Sequence, residues 1–66
     1  MRIIVNGKPL EVKEKPDLRD LVLFCKISPE SAIIELNGTV IRKALWAGTI
    51  LNENDRVEFI SLVGGG

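Results

Sequence analysis

The sequence predicts an α+β domain in which a single helix packs on one face of a mixed sheet of four or five strands. Three observations predict it: two Asn-Gly dipeptides lie between strand-like runs, one segment has the spacing of an amphipathic helix, and the last strand-like run is apolar on both sides. Length sets the scale, because 66 residues form one small domain without room for a second core.

The first Asn-Gly dipeptide predicts a hairpin. Both central positions of a two-residue hairpin loop need positive φ, which Asn-Gly provides. With Asn6-Gly7 as the loop, Val5 pairs with Lys8. One face of the hairpin then carries four apolar side chains: Met1, Ile3, Leu10 and Val12. Pro9 has no N–H to donate to a neighbouring strand, so we expect the second strand to lie at an edge of the sheet.

A helix is predicted after the hairpin, with Asp17 as its N-cap and Asp20 completing a variant of the capping box. Spacing of i, i+3, i+4 and i+7 marks one buried stripe, which consists of Leu18, Leu21, Val22 and Cys25. Leu23 and Phe24 lie off this stripe, so the helix is apolar over more than one face. We expect Ser28-Pro29 to end the helix, because proline disfavours the α conformation in the residue before it.

A second strand pair is predicted over residues 32–36 and 39–41, joined by the turn Asn37-Gly38. A short helical turn follows and presents Leu45 and Trp46. The pair and the turn lead to a polar segment that separates them from the last strand.

The final strand is predicted over residues 56–63. Its apolar side chains alternate, with Val57, Phe59 and Val63 on one side and Ile60 and Leu62 on the other. Because both sides are apolar, we expect this strand at the centre of the sheet. The order of elements predicts a β-grasp arrangement, with residues 1–63 as the domain and residues 64–66 as a flexible glycine tail.

Composition argues against several classes of partner. Nine Lys and Arg balance nine Asp and Glu, whereas nucleic-acid binding needs a clustered basic surface. No run approaches the roughly 18 apolar residues of a membrane span, and no signal-peptide pattern follows Met1. One cysteine cannot form an internal disulfide and suits a reducing compartment. We therefore expect a cytoplasmic protein that binds neither nucleic acid nor membrane.

The residue inventory also argues against an autonomous enzyme. The chain has no histidine, which excludes nucleophiles that are activated by histidine. One cysteine without histidine leaves only carboxylates for a metal, and no phosphate-binding glycine loop is present. Catalytic pockets usually need a larger scaffold. We expect no catalytic residues, no metal and no bound cofactor.

Three side chains have two interpretations each. Cys25 is either a sulfur-handling thiol or a small core residue, and its place on the buried stripe favours the core. Only Lys26 is a sequence neighbour that would lower its pKa. Trp46 and Phe24 divide between partner contact and core, and a lone tryptophan in a small domain is more often core.

The last three residues, Gly64-Gly65-Gly66, follow directly on the final strand. Glycine has no Cβ, so it gives flexibility and the thinnest peptide profile. Three extended residues reach about 10 Å. Such a strip, ending in a carboxylate, fits a narrow channel in another protein's active site. Composition alone equally allows a frayed terminus or a leftover linker.

Residues 32–41, Trp46, the Asp-Arg-Val-Glu segment at 55–58 and the ending at 63–66 together resemble the thiamine-biosynthesis (ThiS-type) sulfur carriers. These belong to the ubiquitin-like sulfur carrier family. The likeness covers essentially the whole chain, including its length and the order of its elements.

Two positions depart from the resemblance. The family often has glycine where this chain has Lys26 and Asn54. Asparagine tolerates the left-handed conformation, so Asn54 is a mild change, whereas Lys26 puts the helix end in question.

The resemblance implies a protein co-substrate rather than an enzyme. A ubiquitin-activating-enzyme-like adenylyltransferase would use ATP to adenylate the carboxylate of Gly66. Sulfur from a cysteine desulfurase relay would then replace AMP, and the resulting thiocarboxylate would donate sulfur to thiazole synthase. Gly64 and Gly65 would give reach, and Leu62 and Val63 would contact the partners.

Three other interpretations of the glycine tail stay open. The same chemistry could serve molybdopterin synthesis or tRNA thiolation, although the short chain favours the thiamine type. The chain could instead be a ubiquitin-like modifier that is joined through Gly66 to lysines of target proteins. It could also be an interaction domain with an incidental tail, in which case function would survive deletion of Gly65 and Gly66.

Overall fold

The computed structural model describes residues 1–13 and 15–61. Its elements are β1 (Arg2–Val5), β2 (Lys8–Glu11), α1 (Leu18–Phe24), β3 (Ala32–Leu36), β4 (Thr39–Ile41) and β5 (Arg56–Ser61), with short 3-10 helices at Pro29–Ser31 and Lys43–Gly48. The sheet order is β2-β1-β5-β3-β4. β1 and β5 are parallel and the other neighbours are antiparallel. This mixed five-stranded sheet with one α-helix is the predicted α+β arrangement.

The first hairpin has the predicted register, with Val5 opposite Lys8 and Ile3 opposite Leu10. Its turn residues have the positive φ that the prediction required, 49° at Asn6 and 82° at Gly7. β2 lies at the edge of the sheet, as the proline in it predicted. The second hairpin repeats the pattern, since its Asn-Gly turn also has positive φ at both positions.

The core lies between α1 and one face of the sheet. Its buried side chains are Ile3, Leu18, Leu21, Val22, Ile34, Trp46, Leu51 and Val57. Trp46 is 4% exposed, and its indole Nε1–H donates to the carbonyl oxygen of Ile41 at 2.9 Å. Trp46 is therefore a core residue, with its one polar atom satisfied. Leu51 was missed because it lies in an irregular segment without periodicity.

The start of α1 is as predicted. The backbone N–H of Asp20 donates to the Asp17 carboxylate at 2.8 Å, and the N–H of Asp17 donates to the Asp20 carboxylate at 3.1 Å. Each carboxylate thus satisfies a backbone donor at the helix N-terminus that would otherwise lack a partner. Leu23 and Phe24 lie off the buried stripe and are 62% and 64% exposed.

The predicted helix end at Ser28-Pro29 is wrong. The C-cap is Cys25, and the chain then turns at Lys26, whose φ is 57°. The N–H groups of Lys26 and Ile27 donate to carbonyls one turn back, both at 3.2 Å, in the pattern of a Schellman motif. The left-handed residue Lys26 therefore ends the helix three residues before Pro29. Pro29 instead starts a 3-10 helix. Lysine gives no sequence signal for this conformation.

The strain at Lys26 yields a stability prediction. Lys26→Gly is expected to raise the free energy of unfolding by about 0.5–1 kcal/mol, because relief of about 1–2 kcal/mol of left-handed strain outweighs the greater unfolded-state entropy of glycine. Urea unfolding followed by Trp46 fluorescence measures it. The matched control is Lys8→Gly, at a position without positive φ, which is expected to lose about 0.5–1 kcal/mol. An equal loss in the free energy of unfolding for both variants would contradict the assignment of strain to Lys26.

Candidate functional site

The predicted chemistry lies on the chain that follows β5. The predicted modification site, Gly66, the two glycines before it, Gly64 and Gly65, and the predicted partner contacts, Leu62 and Val63, all lie outside the described residues. The structure therefore locates the residue that directly precedes residues 62–66. This residue is Ser61, the last residue of β5, whose backbone pairs with Ala32 of β3.

β5 is held on both of its edges. β3 pairs with it antiparallel from Leu36↔Val57 to Ala32↔Ser61, and β1 pairs with it in parallel at Arg56 and Val57. This confirms the prediction that the last strand is central. The β1 ladder holds only the start of β5, whereas the β3 ladder continues to Ser61 and holds the end of the strand from which the following residues start.

Two turn asparagines add anchors that the sequence reading missed. The Oδ1 atom of Asn6 accepts a hydrogen bond from the N–H of Phe59 at 2.9 Å, beyond the point where β1 ends. The Oδ1 atom of Asn37 accepts from the N–H of Arg56 at 2.9 Å, and its Nδ2 donates to Asp55 at 3.0 Å. The Asn-Gly signal predicted only the turns. That these side chains also reach β5 follows from the sheet order.

Covalent geometry limits how far the predicted site lies from the sheet. Gly66 is the fifth residue after Ser61. At 3.3–3.6 Å per residue, Gly66 can lie at most about 17–18 Å from Ser61. A protein that encloses the carboxylate of Gly66 must therefore stand close to the end of β5.

Cys25 lies at the end of α1, half-buried against the core. Burial raises the pKa of the Cys25 thiol, which lowers the fraction of reactive thiolate at neutral pH. The geometry thus favours the core interpretation over a sulfur-handling thiol. Phe24, by contrast, is exposed, so it is not a core residue.

Metal-binding clusters and membrane-spanning helices are both absent from residues 1–13 and 15–61. Within these residues, no group of three His, Cys, Asp or Glu side chains is placed to hold a metal ion. None of their helices is long and apolar enough to cross a membrane.

Comparison with protein families gives a match over residues 3–66 to the family described as the ThiS family. The chain belongs to the ThiS family. The match includes the final glycines and so reaches the residue on which the predicted chemistry takes place.

Solved ThiS structures confirm the β-grasp fold. The crystal structure of the thiamine biosynthesis protein (ThiS) from Geobacter metallireducens superposes with a TM-score of 0.87, at 35% identity and with all of both chains covered. The NMR solution structure of a thiamine biosynthesis protein from the same organism gives 0.84, also at 35% identity, covering all of this chain and 88% of the other.

Two curated relatives add different information. The protein ycf40 of Porphyra purpurea is 36% identical over 64 residues, covering 97% of this chain and 90% of the relative. A thiazole synthase of Magnetococcus marinus is 29% identical over 66 residues, which make up all of this chain but only 20% of that protein. Membership in the ThiS family supports a role as a sulfur carrier, a small carrier protein rather than an enzyme.

The structure gives a physical reason for the two departures from the family resemblance. Lys26 and Asn54 both have positive φ, 57° and 68°. Glycine adopts this conformation without a steric cost, so the glycine that the resemblance implies at these positions would fit the same backbone.

The environment of Cys25 yields a reactivity prediction. Because burial raises its pKa, alkylation by iodoacetamide in the folded protein is expected to reach half its maximal rate at a higher pH than in the urea-unfolded protein. The unfolded protein is the control, because its Cys25 thiol is exposed to water and its pKa is not raised by burial. In parallel, Cys25→Ala is expected to be modified at Gly66 as fast as the parent chain. A lower midpoint in the folded protein, or loss of modification, would restore the sulfur-handling interpretation.

Proposed function

We propose that this ThiS-family chain carries sulfur on the carboxylate of Gly66, as a thiocarboxylate, for thiazole formation in thiamine biosynthesis. The observation that carries the proposal is the family match that extends to Gly66, on a chain whose last described strand is fixed at the centre of the sheet. The adenylation, the sulfur transfer and the identity of the acceptor are parts of this proposal.

The first step makes the carboxylate reactive. A carboxylate is a poor electrophile, so one oxygen of Gly66 attacks the α-phosphorus of ATP and displaces pyrophosphate. The product is an acyl-adenylate, whose AMP is a good leaving group. The ATP is bound by a ubiquitin-activating-enzyme-like adenylyltransferase, and the ThiS chain supplies only the nucleophilic oxygen.

The second step replaces oxygen by sulfur. A persulfide sulfur, drawn from cysteine through a desulfurase relay, attacks the carbonyl carbon and displaces AMP, which leaves an acyl disulfide between the ThiS chain and the relay protein. A thiol then attacks the relay-side sulfur of this S–S bond, so the thiocarboxylate is released and the thiol and the relay protein form a disulfide. The chain then ends in a thiocarboxylate, whose sulfur is itself a nucleophile and can be transferred to an acceptor. The ThiS chain is consumed and regenerated in this cycle, which makes it a co-substrate.

Glycine suits each of the last positions for a steric reason. Gly64 and Gly65 carry no side chain that would collide with the walls of a narrow active-site channel. Leu62 and Val63, which precede the glycines in the sequence, contact the partner. The tail thus separates the reacting group from the folded domain by a fixed length of chain.

The acceptor in this proposal is thiazole synthase. In Magnetococcus marinus, a region similar to this whole chain forms part of a protein named thiazole synthase. A carrier-like segment and that named activity thus share one polypeptide there. The Geobacter metallireducens structures are titled as thiamine biosynthesis proteins. These two findings favour the thiamine pathway over molybdopterin synthesis and tRNA thiolation.

The proposal predicts a modification that depends on Gly66. Incubation with the adenylyltransferase of the same organism, ATP and a sulfur source is expected to add the mass difference of one sulfur for one oxygen, located at Gly66 by fragment mass spectrometry. Deletion of Gly66 leaves a carboxylate on Gly65, one residue short. Since a misplacement of about 1 Å can cost about 100-fold in rate, this variant is expected to lose at least that much.

Controls separate the competing functions. Circular dichroism of the deletion variant is expected to match the parent chain, because Gly66 follows the folded strands. An unmodified parent chain, or equal modification of both chains, would refute the sulfur-carrier proposal. Isopeptide-linked adducts on lysines of other proteins would instead identify a protein modifier.

A further inference from the structure

The two Asn-Gly turns carry a chemical reactivity that the sulfur-carrier function does not use. Asparagine before glycine is labile, because glycine has no side chain to shield its backbone nitrogen from the neighbouring amide. Both turns are exposed. A Cβ atom at Gly7 or Gly38 would meet nothing within 4 Å, so the space beside each turn is open. The contacts of each asparagine therefore decide how fast it reacts and what the reaction does to the fold.

Deamidation needs no reagent other than water. At the second turn, the backbone nitrogen of Gly38 forms a bond to Cγ of Asn37 and gives up its proton. The bond from Cγ to Nδ2 breaks, and the amide nitrogen leaves as ammonia. The product is a succinimide ring, which water opens at either of its carbonyls. The chain then has aspartate or isoaspartate at position 37.

The amide of Asn37 joins the β3–β4 turn to the start of β5. Its Oδ1 atom accepts from the N–H of Arg56 at 2.9 Å, and its Nδ2 donates to Oδ1 of Asp55 at 3.0 Å. The other carboxylate oxygen of Asp55 accepts from the N–H of Asn52 at 2.8 Å. The backbone N–H of Asn37 also donates to the carbonyl of Arg56 at 2.7 Å. One side-chain amide thus connects three segments of the fold.

Deamidation has opposite consequences at the two turns. At position 37 it replaces a donor by a carboxylate beside Asp55, and two adjacent carboxylates repel and cannot donate to each other. Asn6 contacts β5 through its Oδ1 atom, which accepts from the N–H of Phe59 at 2.9 Å. Among the described residues, its Nδ2 has no hydrogen-bond acceptor. A carboxylate at position 6 accepts the same bond, so nothing is lost there.

We propose that Asn37-Gly38 is a modification site at which spontaneous deamidation irreversibly loosens the start of β5, whereas deamidation at Asn6-Gly7 leaves the fold intact. The hydrogen bonds that the reaction destroys also slow it, because an amide held by Arg56 and Asp55 cannot rotate toward the nitrogen of Gly38. β4 pairs only with β3, over three residue pairs, so few hydrogen bonds break when this turn opens. A chain that opens there is modified and does not recover its original contacts.

Thermal unfolding of aspartate variants tests the consequence. Asn37→Asp is expected to lower the Tm by about 5–15 °C, because a buried donor–acceptor contact becomes a repulsion. The matched control, Asn6→Asp, is the same change in the same kind of turn and is expected to stay within about 3 °C of the parent chain. Combining Asn37→Asp with Asp55→Asn is expected to restore at least half of the loss. The new amide at position 55 donates to the new carboxylate at position 37, and its oxygen still accepts from Asn52.

Peptide mass spectrometry of the full chain, incubated with and without guanidinium chloride, tests the protection. In the unfolded chain, both asparagines are expected to deamidate at similar rates. Folding is expected to slow the reaction at Asn37 about tenfold or more. Asp55→Ala is expected to raise the folded-state rate at Asn37 and leave the rate at Asn6 unchanged. The rate at Asn6 is the internal control, because global unfolding would raise both rates.

Each outcome supports or overturns the inference. An unchanged Tm for Asn37→Asp, or a loss equal to that of Asn6→Asp, would overturn it. If Asn37→Asp does not fold, recovery of the fold in the double variant supports the proposed contact and failure to recover overturns it. Equal rates at Asn37 in the folded and unfolded chains would also overturn the proposal, as would an equal rise at both asparagines in Asp55→Ala.

Discussion

The central place of β5 is the constraint on which the rest of the molecule depends. One hydrogen-bonded ladder joins β5 to β1 in parallel and another joins it to β3 antiparallel, and its Val57 is fully buried. The parallel pairing requires a crossover between the first hairpin and the second half of the chain. α1 lies in that crossover and covers the core face of the sheet. The connection that places β5 beside β1 therefore also places the helix on the core. The end of β5 is held by its pairing with β3, which continues to Ser61.

Left-handed residues make the tight connections of this fold possible. Four residues other than glycine have positive φ, namely Asn6, Lys26, Asn37 and Asn54, in the part of the chain that the structure describes. Asn6 and Asn37 recover free energy through side-chain hydrogen bonds to β5. At Lys26 the hydrogen bonds of the Schellman motif involve the backbone alone, so the side chain does not offset the cost of the left-handed conformation. Among these four positions, Lys26 at the helix end is therefore the one where the side chain least suits the left-handed conformation.

Sequence predicts the elements of this fold wherever local chemistry decides them. Asn-Gly provides positive φ at two consecutive positions. Asp17 and Asp20 each accept a hydrogen bond from the other's backbone N–H, so the hairpins and the helix start follow from a few residues. The helix end could not be predicted, because lysine carries no preference for the conformation it adopts at position 26. Leu51 was missed for a different reason: only its place beside α1, which the tertiary fold determines, buries it.

The same division holds for the site. Gly66 stays a prediction, which rests on the run of three glycines and on the resemblance that extends to them. The opposition of Glu35 and Glu58 could not be predicted, because it depends on the register between β3 and β5, which lie far apart in sequence. That register is set by Ile34, Val57 and Phe59 on the core face, since a shift by one residue would turn them outward. Core packing thus decides which residues meet on the opposite face of the sheet.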